Sequence, residues 1–419
     1  MSGSGGRRQG LIALGVGIAA AGAGAALGLA AERLTAGRSL GEQLPPTESG
    51  ELPDPRGGPA LGSLHGEPHI VVADDGVPLH VEVDQPEPEP RPGGRSDGTE
   101  DRRGRRRGRD EDPPLTFVLT HGYALTLDSW HYQRLALRGQ GRVVLWDQRG
   151  HGRSGTGPAG SSTIDQVGRD LAAVLDAVAP EGPLVLVGHS MGGMTLMALA
   201  QLRPDLFAER VVGVGFLATS AGGLGDLDLG MRGVGRLAVR AAPLAARVVA
   251  RSPGLAAQGR RVSSDLETLL VRRYSFASEV SPTLVRFSAG MIAATRLEVI
   301  SDFLPTFAGH DRREALAAMS GAEVLVMVGD HDLLIPADHS EEIARRLPDA
   351  EHVVVRPAGH LLMLEHPDVV DRHLLGLAER SRDAAEGRTG TRRTGWGRRT
   401  VTPVRQHRRG RTRPSGKGS

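Results

Sequence analysis

From residue 115 onward two patterns alternate along the chain, and this alternation restricts the fold more than any other feature of its 419 residues. Short, unbroken apolar runs occur at Leu115–Thr120, Arg142–Trp146, Leu184–Val187, Val211–Ala218, Glu323–Val328 and His352–Arg356. Helical stretches, such as Ile164–Val178 and Met191–Gln201, lie between most of them. A strand that is apolar on both faces needs cover on both, and intervening helices supply it. The expected fold class is therefore α/β, a mostly parallel doubly wound sheet.

The rest of the chain is organised around that sheet. Residues 67–220 form the first part of the expected core and open with two β-rich runs, His69–Ala73 and Leu79–Val83, around the hairpin signal Asp75-Gly76. Residues 85–114 carry eight acidic and eight basic residues without apolar periodicity, and predict a disordered insertion between strands. Residues 221–310 break the alternation with about 90 residues of helical pattern, too long for a loop, and predict a helical cap. Residues 311–380 complete the core, and 381–419 form a basic tail expected to be disordered.

Ahead of the core, residues 41–66 are rich in Pro, Gly and Glu and predict a linker. Within residues 1–40, Leu11–Ala31 is an uncharged run of 21 residues, long enough as a helix to cross a bilayer core of about 30 Å. It predicts a single anchor in a bacterial plasma membrane. Arg7 and Arg8 favour a cytoplasmic N-terminus, with the remainder outside, and Arg33 and Arg38 oppose that direction. A cleaved signal peptide and a Gly/Ala tail that never inserts, leaving a cytoplasmic protein, are the competing readings.

Composition mainly excludes. There is no cysteine, hence no disulfide or thiolate chemistry. The 51 basic residues are nearly balanced by 49 acidic ones, and the net charge of +2 gives no reason to expect a nucleic-acid partner. No H-E-x-x-H motif or P-loop is present, so neither a metal nor a cofactor is expected.

The chemistry is carried by Gly188-His189-Ser190-Met191-Gly192, set between the run Leu184–Val187 and the helical stretch Met191–Gln201. A serine on a sharp strand-to-helix turn strains its backbone, and side chains two residues to either side would collide, so both places are glycine. The helix N-terminus favours negative charge developing beside Ser190. A hydroxyl needs a base, and the base needs an orienting acid, in the chain order Ser, acid, His. The fifth run ends in Gly329-Asp330-His331-Asp332-Leu333-Leu334-Ile335-Pro336, and the sixth in Pro357-Ala358-Gly359-His360. Either Asp330 or Asp332 fits the acid by position, and His360 fits the base. The N–H of Met191 is one candidate oxyanion donor.

These motifs resemble the α/β-hydrolase superfamily over residues 68–380. The resemblance selects Asp332, as the Asp of a G-x-x-D-x-x-x-P pattern, and His360, as the histidine after a glycine. It makes Tyr123, in His121-Gly122-Tyr123, the second oxyanion donor, with His121 structural, and treats Asp147–Ser154 as a supporting loop near the site. Related dehalogenases and epoxide hydrolases carry aspartate where this chain has Ser190. The implied function is a serine hydrolase that cleaves a carboxylic ester or related small acyl substrate through an acyl-enzyme. A cofactor-free perhydrolase or acyltransferase would use the same three residues, and a membrane-tethered binding module would use none of them. Oligomeric state leaves no mark in the sequence.

Overall fold

The computed structural model describes residues 52–86, 114–224, 264–389 and 404–405. The stretch 11–31 and nearly all of the predicted insertion 85–114 lie outside these, and among the described residues no helix is long and apolar enough to cross a membrane.

One sheet organises the molecule. Its strands are β1 (Glu67–Val72), β2 (Pro78–Asp84), β3 (Thr116–Thr120), β4 (Arg142–Trp146), β5 (Leu184–His189), β6 (Val211–Leu217), β7 (Glu323–Gly329), β8 (Glu351–Arg356) and the two-residue β9 (Val404–Arg405). They lie in the order β1-β2-β4-β3-β5-β6-β7-β8-β9. The pairs β1–β2 and β2–β4 are antiparallel and every other pair is parallel. The helices are α1 (His131–Leu137), α2 (Ile164–Val178), α3 (Met191–Leu202), α4 (Pro204–Glu209), α5 (Ser264–Ser275), α6 (Pro282–Ala294), α7 (Leu297–Ala308), α8 (Ala337–Arg346), α9 (Leu362–Glu365) and α10 (Pro367–Thr389).

Alternation along each strand feeds two cores. Phe117, Leu119, Val143 and Leu145 pack with α1, α9 and α10 on one face, while Val118, Val144 and Trp146 pack with α2 and α3 on the other. This double burial is why the strands read as unbroken apolar runs. The chain steps from β3 to β4 on one side and then returns to β5 on the other. The crevice at this reversal of winding, beyond the strands' C-terminal ends, is where open α/β sheets place ligands. Asp84 at the end of β2 pairs with Val143, and Thr116 at the start of β3 pairs with Arg142, so both lie at the opposite end of the sheet.

Two boundaries differ from expectation. The described part of the predicted linker, 52–66, packs on the body: Leu52 bridges Leu61, Leu61 is fully buried, and Asp54 accepts the hydroxyl of Tyr132 at 2.8 Å. Its Pro/Gly composition reflects tight turns, with Gly57 and Gly62 at positive φ. The predicted tail also starts later. Helix α10 continues to Thr389 because Ser381 is buried and Arg382 donates to the carbonyl of Gln140 at 2.9 Å. Val404–Arg405 within the expected tail pairs with β8. Within 221–310, helices α5 to α7 occupy 264–308, and 225–263 lie outside the described residues.

Candidate active site

Ser190 follows β5 and opens α3 with φ 51° and ψ −117°, a backbone region that costs a non-glycine residue about 1–3 kcal/mol. Its surroundings enforce the strain. The Ser190 N–H donates to Leu217 O at 2.9 Å, and its carbonyl accepts the hydroxyl of Thr219 at 2.6 Å. A Cβ on Gly188 would lie 2.5 Å from the carbonyl carbon of Gly192, and one on Gly192 would strike the backbone oxygen of Thr120. The two glycines thus let the strand and the helix approach across the turn.

His360 and Asp332 come together. Asp332 follows β7 and His360 follows β8, and His360 Nδ1 lies 2.8 Å from Asp332 Oδ2. A carboxylate only accepts, so Nδ1 carries the proton and a neutral ring keeps its lone pair on Nε2. Asp332 is fixed from its other oxygen, since Oδ1 accepts from Leu334 N and Ile335 N, both at 2.9 Å. Asp330 instead accepts from Ala358 N at 3.1 Å and lies 2.7 Å from His331 Nδ1, and it has no contact with His360 among the described residues. The ring of His360 packs against that of His189 at 4.8 Å between centroids, and His189 Nε2 donates to the carbonyl of His360 at 3.0 Å. His360 therefore leans on the residue next to Ser190. No hydrogen bond joins Ser190 Oγ to His360 among the described residues, an arrangement common before substrate binds.

The loop after β3 completes the crevice. A Cβ on Gly122 would lie 2.6 Å from His189 Nδ1 and 3.2 Å from Ser190 Cβ, so only glycine lets this loop approach the elbow. The N–H groups of Tyr123 and Met191 donate to no protein acceptor among the described residues. His121 is fully buried. Its Nε2 accepts from Gln148 N at 2.9 Å and its Nδ1 donates to Gly122 O at 2.7 Å. Burial holds its imidazole down to about 4, so it stays neutral and braces the loop. The hydroxyl of Tyr123 donates to Ile300 O on α7 at 2.7 Å, and its ring packs on Phe303 and Phe307.

Asp147–Ser154 supports the site from below. Asp147 accepts from Leu127 N at 2.8 Å and Arg153 N at 2.9 Å, and Gly152, at φ 49°, leaves room for that carboxylate. Arg149 is wholly buried and forks onto Asp170 (2.6 and 2.7 Å) and Asp75 (2.7 and 3.1 Å). His151 is also wholly buried. Burial, reinforced by His121, holds its imidazole at about 3. Thr219 and the buried Glu365 were not legible as site residues, because each reaches its backbone partner through a contact that leaves no sequence motif.

Comparison with known proteins agrees with this architecture. The profile described as alpha/beta hydrolase fold matches residues 116–367. The chain is 27% identical over 266 residues to the dihydrolipoyllysine-residue acetyltransferase component of the acetoin cleaving system of Pseudomonas putida; the match covers 62% of each chain, so this protein spans less than two thirds of that relative. It is 30% identical over 260 residues to the protein of Azorhizobium caulinodans named carbamate hydrolase RutD, covering 62% of this chain and 89% of that one. A thermophilic esterase from Thermogutta terrifontis shares the fold with a TM-score of 0.54 and 23% identity, over 75% of this chain and 98% of its own. With well over half its length matched by the family's profile, the chain belongs to the alpha/beta hydrolase fold family.

Proposed function

We propose that this protein is a serine hydrolase that transfers an acyl group from a carboxylic ester or related small substrate to water. The observation that carries the reading is the 2.8 Å hydrogen bond between His360 and Asp332 beside a serine held at a strained strand-to-helix turn. In this reading Nε2 of His360 takes the Ser190 proton as Oγ attacks the carbonyl carbon, and returns it to the leaving oxygen. Asp332 keeps the ring in the required tautomer and stabilises the imidazolium. The Tyr123 and Met191 N–H groups receive the developing oxyanion, helped by the N-terminus of α3. Water then attacks the acyl-enzyme with His360 again as base.

A fluorophosphonate probe followed by a panel of p-nitrophenyl esters, thioesters and amides tests this. Labelling that disappears in Ser190→Ala, with turnover of an ester, supports it. No labelling and no turnover on any of the three classes would favour a binding role. Anchoring by Leu11–Ala31 is also part of the proposal. Because Leu52 and Leu61 are built into the body, the comparison to make is the full chain against one beginning at Gly50, each fractionated after a carbonate wash. Recovery of both in the soluble fraction would sink the anchor.

A further inference from the structure

Glu365 ends α9, five residues after His360, and its side chain has no exposed surface. Its carboxylate gathers three backbone N–H groups from two separate parts of the chain. Oε2 accepts from Gly359, the residue immediately before His360, at 2.7 Å. Oε1 accepts from Ala277 at 2.9 Å and from Ser278, both in the turn between α5 and α6. The carbonyls of the same turn face a cation: Arg272 donates to Phe276 O at 3.0 Å and to Ser278 O at 2.7 Å. The turn 276–278 is thus gripped by a carboxylate on its N–H side and a guanidinium on its carbonyl side. Leu361 N, just after His360, donates to Ser275 O at 2.9 Å. Contact is so close that a Cβ on Gly359 would sit 2.7 Å from Ser275 O and 2.9 Å from Phe276 Cα.

Burying a carboxylate is costly unless hydrogen bonds replace its water, and charge-assisted bonds to N–H groups are short and directional. Among the described residues, the ionisable side chain within ion-pair range of it is His366, with Nε2 at 3.8 Å from Oε1 and directed at Pro357 O at 2.5 Å. Glu365 therefore spends its bonding capacity on backbone. The backbone it holds is the residue that carries His360 and the turn through which the helical region meets it.

Resting on the serine-hydrolase reading above, we propose that Glu365 is a positioning residue for His360, which it locks to the turn 276–278 so that the placement of the base depends on how α5 and α6 are seated. A clasp that served stability alone would lower the melting temperature and leave turnover intact. The test uses the full chain with Glu365→Gln, Glu365→Ala, Arg272→Met and the double variant Arg272→Met/Glu365→Gln. Three quantities are read: kcat and KM on a p-nitrophenyl ester, the rate of fluorophosphonate labelling, and the proton NMR signal of His360 Nδ1–H.

A glutamine keeps the size of Glu365 but sets an NH2 against one of the two donor groups. For Glu365→Gln, kcat and the labelling rate are expected to fall together by roughly ten- to a hundredfold with KM nearly unchanged, the size expected when a catalytic group is displaced by a fraction of an ångström to an ångström. The His360 signal broadens. Arg272→Met gives a smaller loss of the same kind, and the double variant is no worse than Glu365→Gln, because both act through one turn. The proposal is overturned if Glu365→Gln keeps kcat, labelling rate and ring signal and loses only melting temperature, and this variant decides even if Glu365→Ala fails to fold. Fully additive losses overturn the dependence on the turn. A parent protein that does not label at all overturns the hydrolase reading alone, and the ring signal then still decides whether Glu365 fixes His360.

Discussion

The two halves of the candidate site are held in place by different forces. The half around Ser190 is fixed by steric closeness and neutral contacts: Gly122, Gly188 and Gly192 at distances that exclude a Cβ, a threonine hydroxyl on the Ser190 carbonyl, and histidines that burial keeps uncharged. The half around His360 is fixed by carboxylates that accept backbone N–H groups: Asp332 on 334 and 335, Asp330 on 358, and Glu365 on 359, 277 and 278. A steric lock is set by the sheet itself and belongs to the body. A carboxylate clasp can reach outside the sheet and join the base to elements that pack over it. Ser190 is thus held within the sheet and its loops, and His360 is tied in addition to a turn outside the sheet.

The widest break between the halves is expected from the reacting groups. Ser190→Ala should reduce ester turnover by roughly a millionfold, with the fold intact by circular dichroism. Asp332→Asn follows, at roughly ten thousandfold, because the wrong tautomer of His360 is then favoured. Asp330→Asn should stay within about threefold, since it loses one exposed-side clasp and no contact to the base. If Asp330→Asn were the more damaging, the acid would have to be reassigned.

The steric half can be broken with a single methyl group. Gly122→Ala should lower kcat by roughly a hundredfold, because the loop must retreat from His189 and Ser190 and carry the Tyr123 N–H away from the oxyanion. The corresponding change in melting temperature should be modest, and measuring both on one preparation separates loop displacement from unfolding.

The smallest effect concerns protonation. His151 is held neutral down to about 3, against an ordinary value of 6.5. Its folded value is depressed, so between about pH 6.5 and 3 the unfolded chain binds a proton that the folded chain does not. Stability from this group is complete above 6.5 and is lost as the pH falls through that window. His151→Phe removes this titration among Tyr123 and Phe303, and melting curves from pH 7 to 4 should fall less steeply by about one proton's worth. An unchanged slope would mean that His151 is protonated in the fold.

The same division explains what was legible in the sequence. Glycine requirements, unbroken apolar strands and strand-end residues are local, so the elbow, Asp332 and His360 could be placed from spacing and resemblance, and β4 and α2 match the expected limits. The choice between Asp330 and Asp332 needed the family pattern, because both follow β7, and geometry alone separates their partners. Glu365, Arg272 and Thr219 left no signal, because each holds backbone atoms, and no side-chain pattern marks which N–H or carbonyl will be the partner. The linker and tail limits were misplaced for a related reason: composition reports propensity, whereas Leu61 and Ser381 are ordered by surfaces that exist only once the sheet has formed.

The pairing of Asp84 and Thr116 to neighbouring positions on β4 has a consequence for how this family member tolerates change. With strands about 4.8 Å apart, the two posts flanking β4 stand only about 10 Å from each other. Whatever length of chain joins them, the entropy of closing it grows slowly, by about 0.6 kcal/mol for each doubling. The posts also face away from the strand ends that carry Ser190, Asp332 and His360. Closure entropy therefore sets little limit on the length of the charged segment between them, and a change of its length is expected to act at the end of the sheet remote from those three residues.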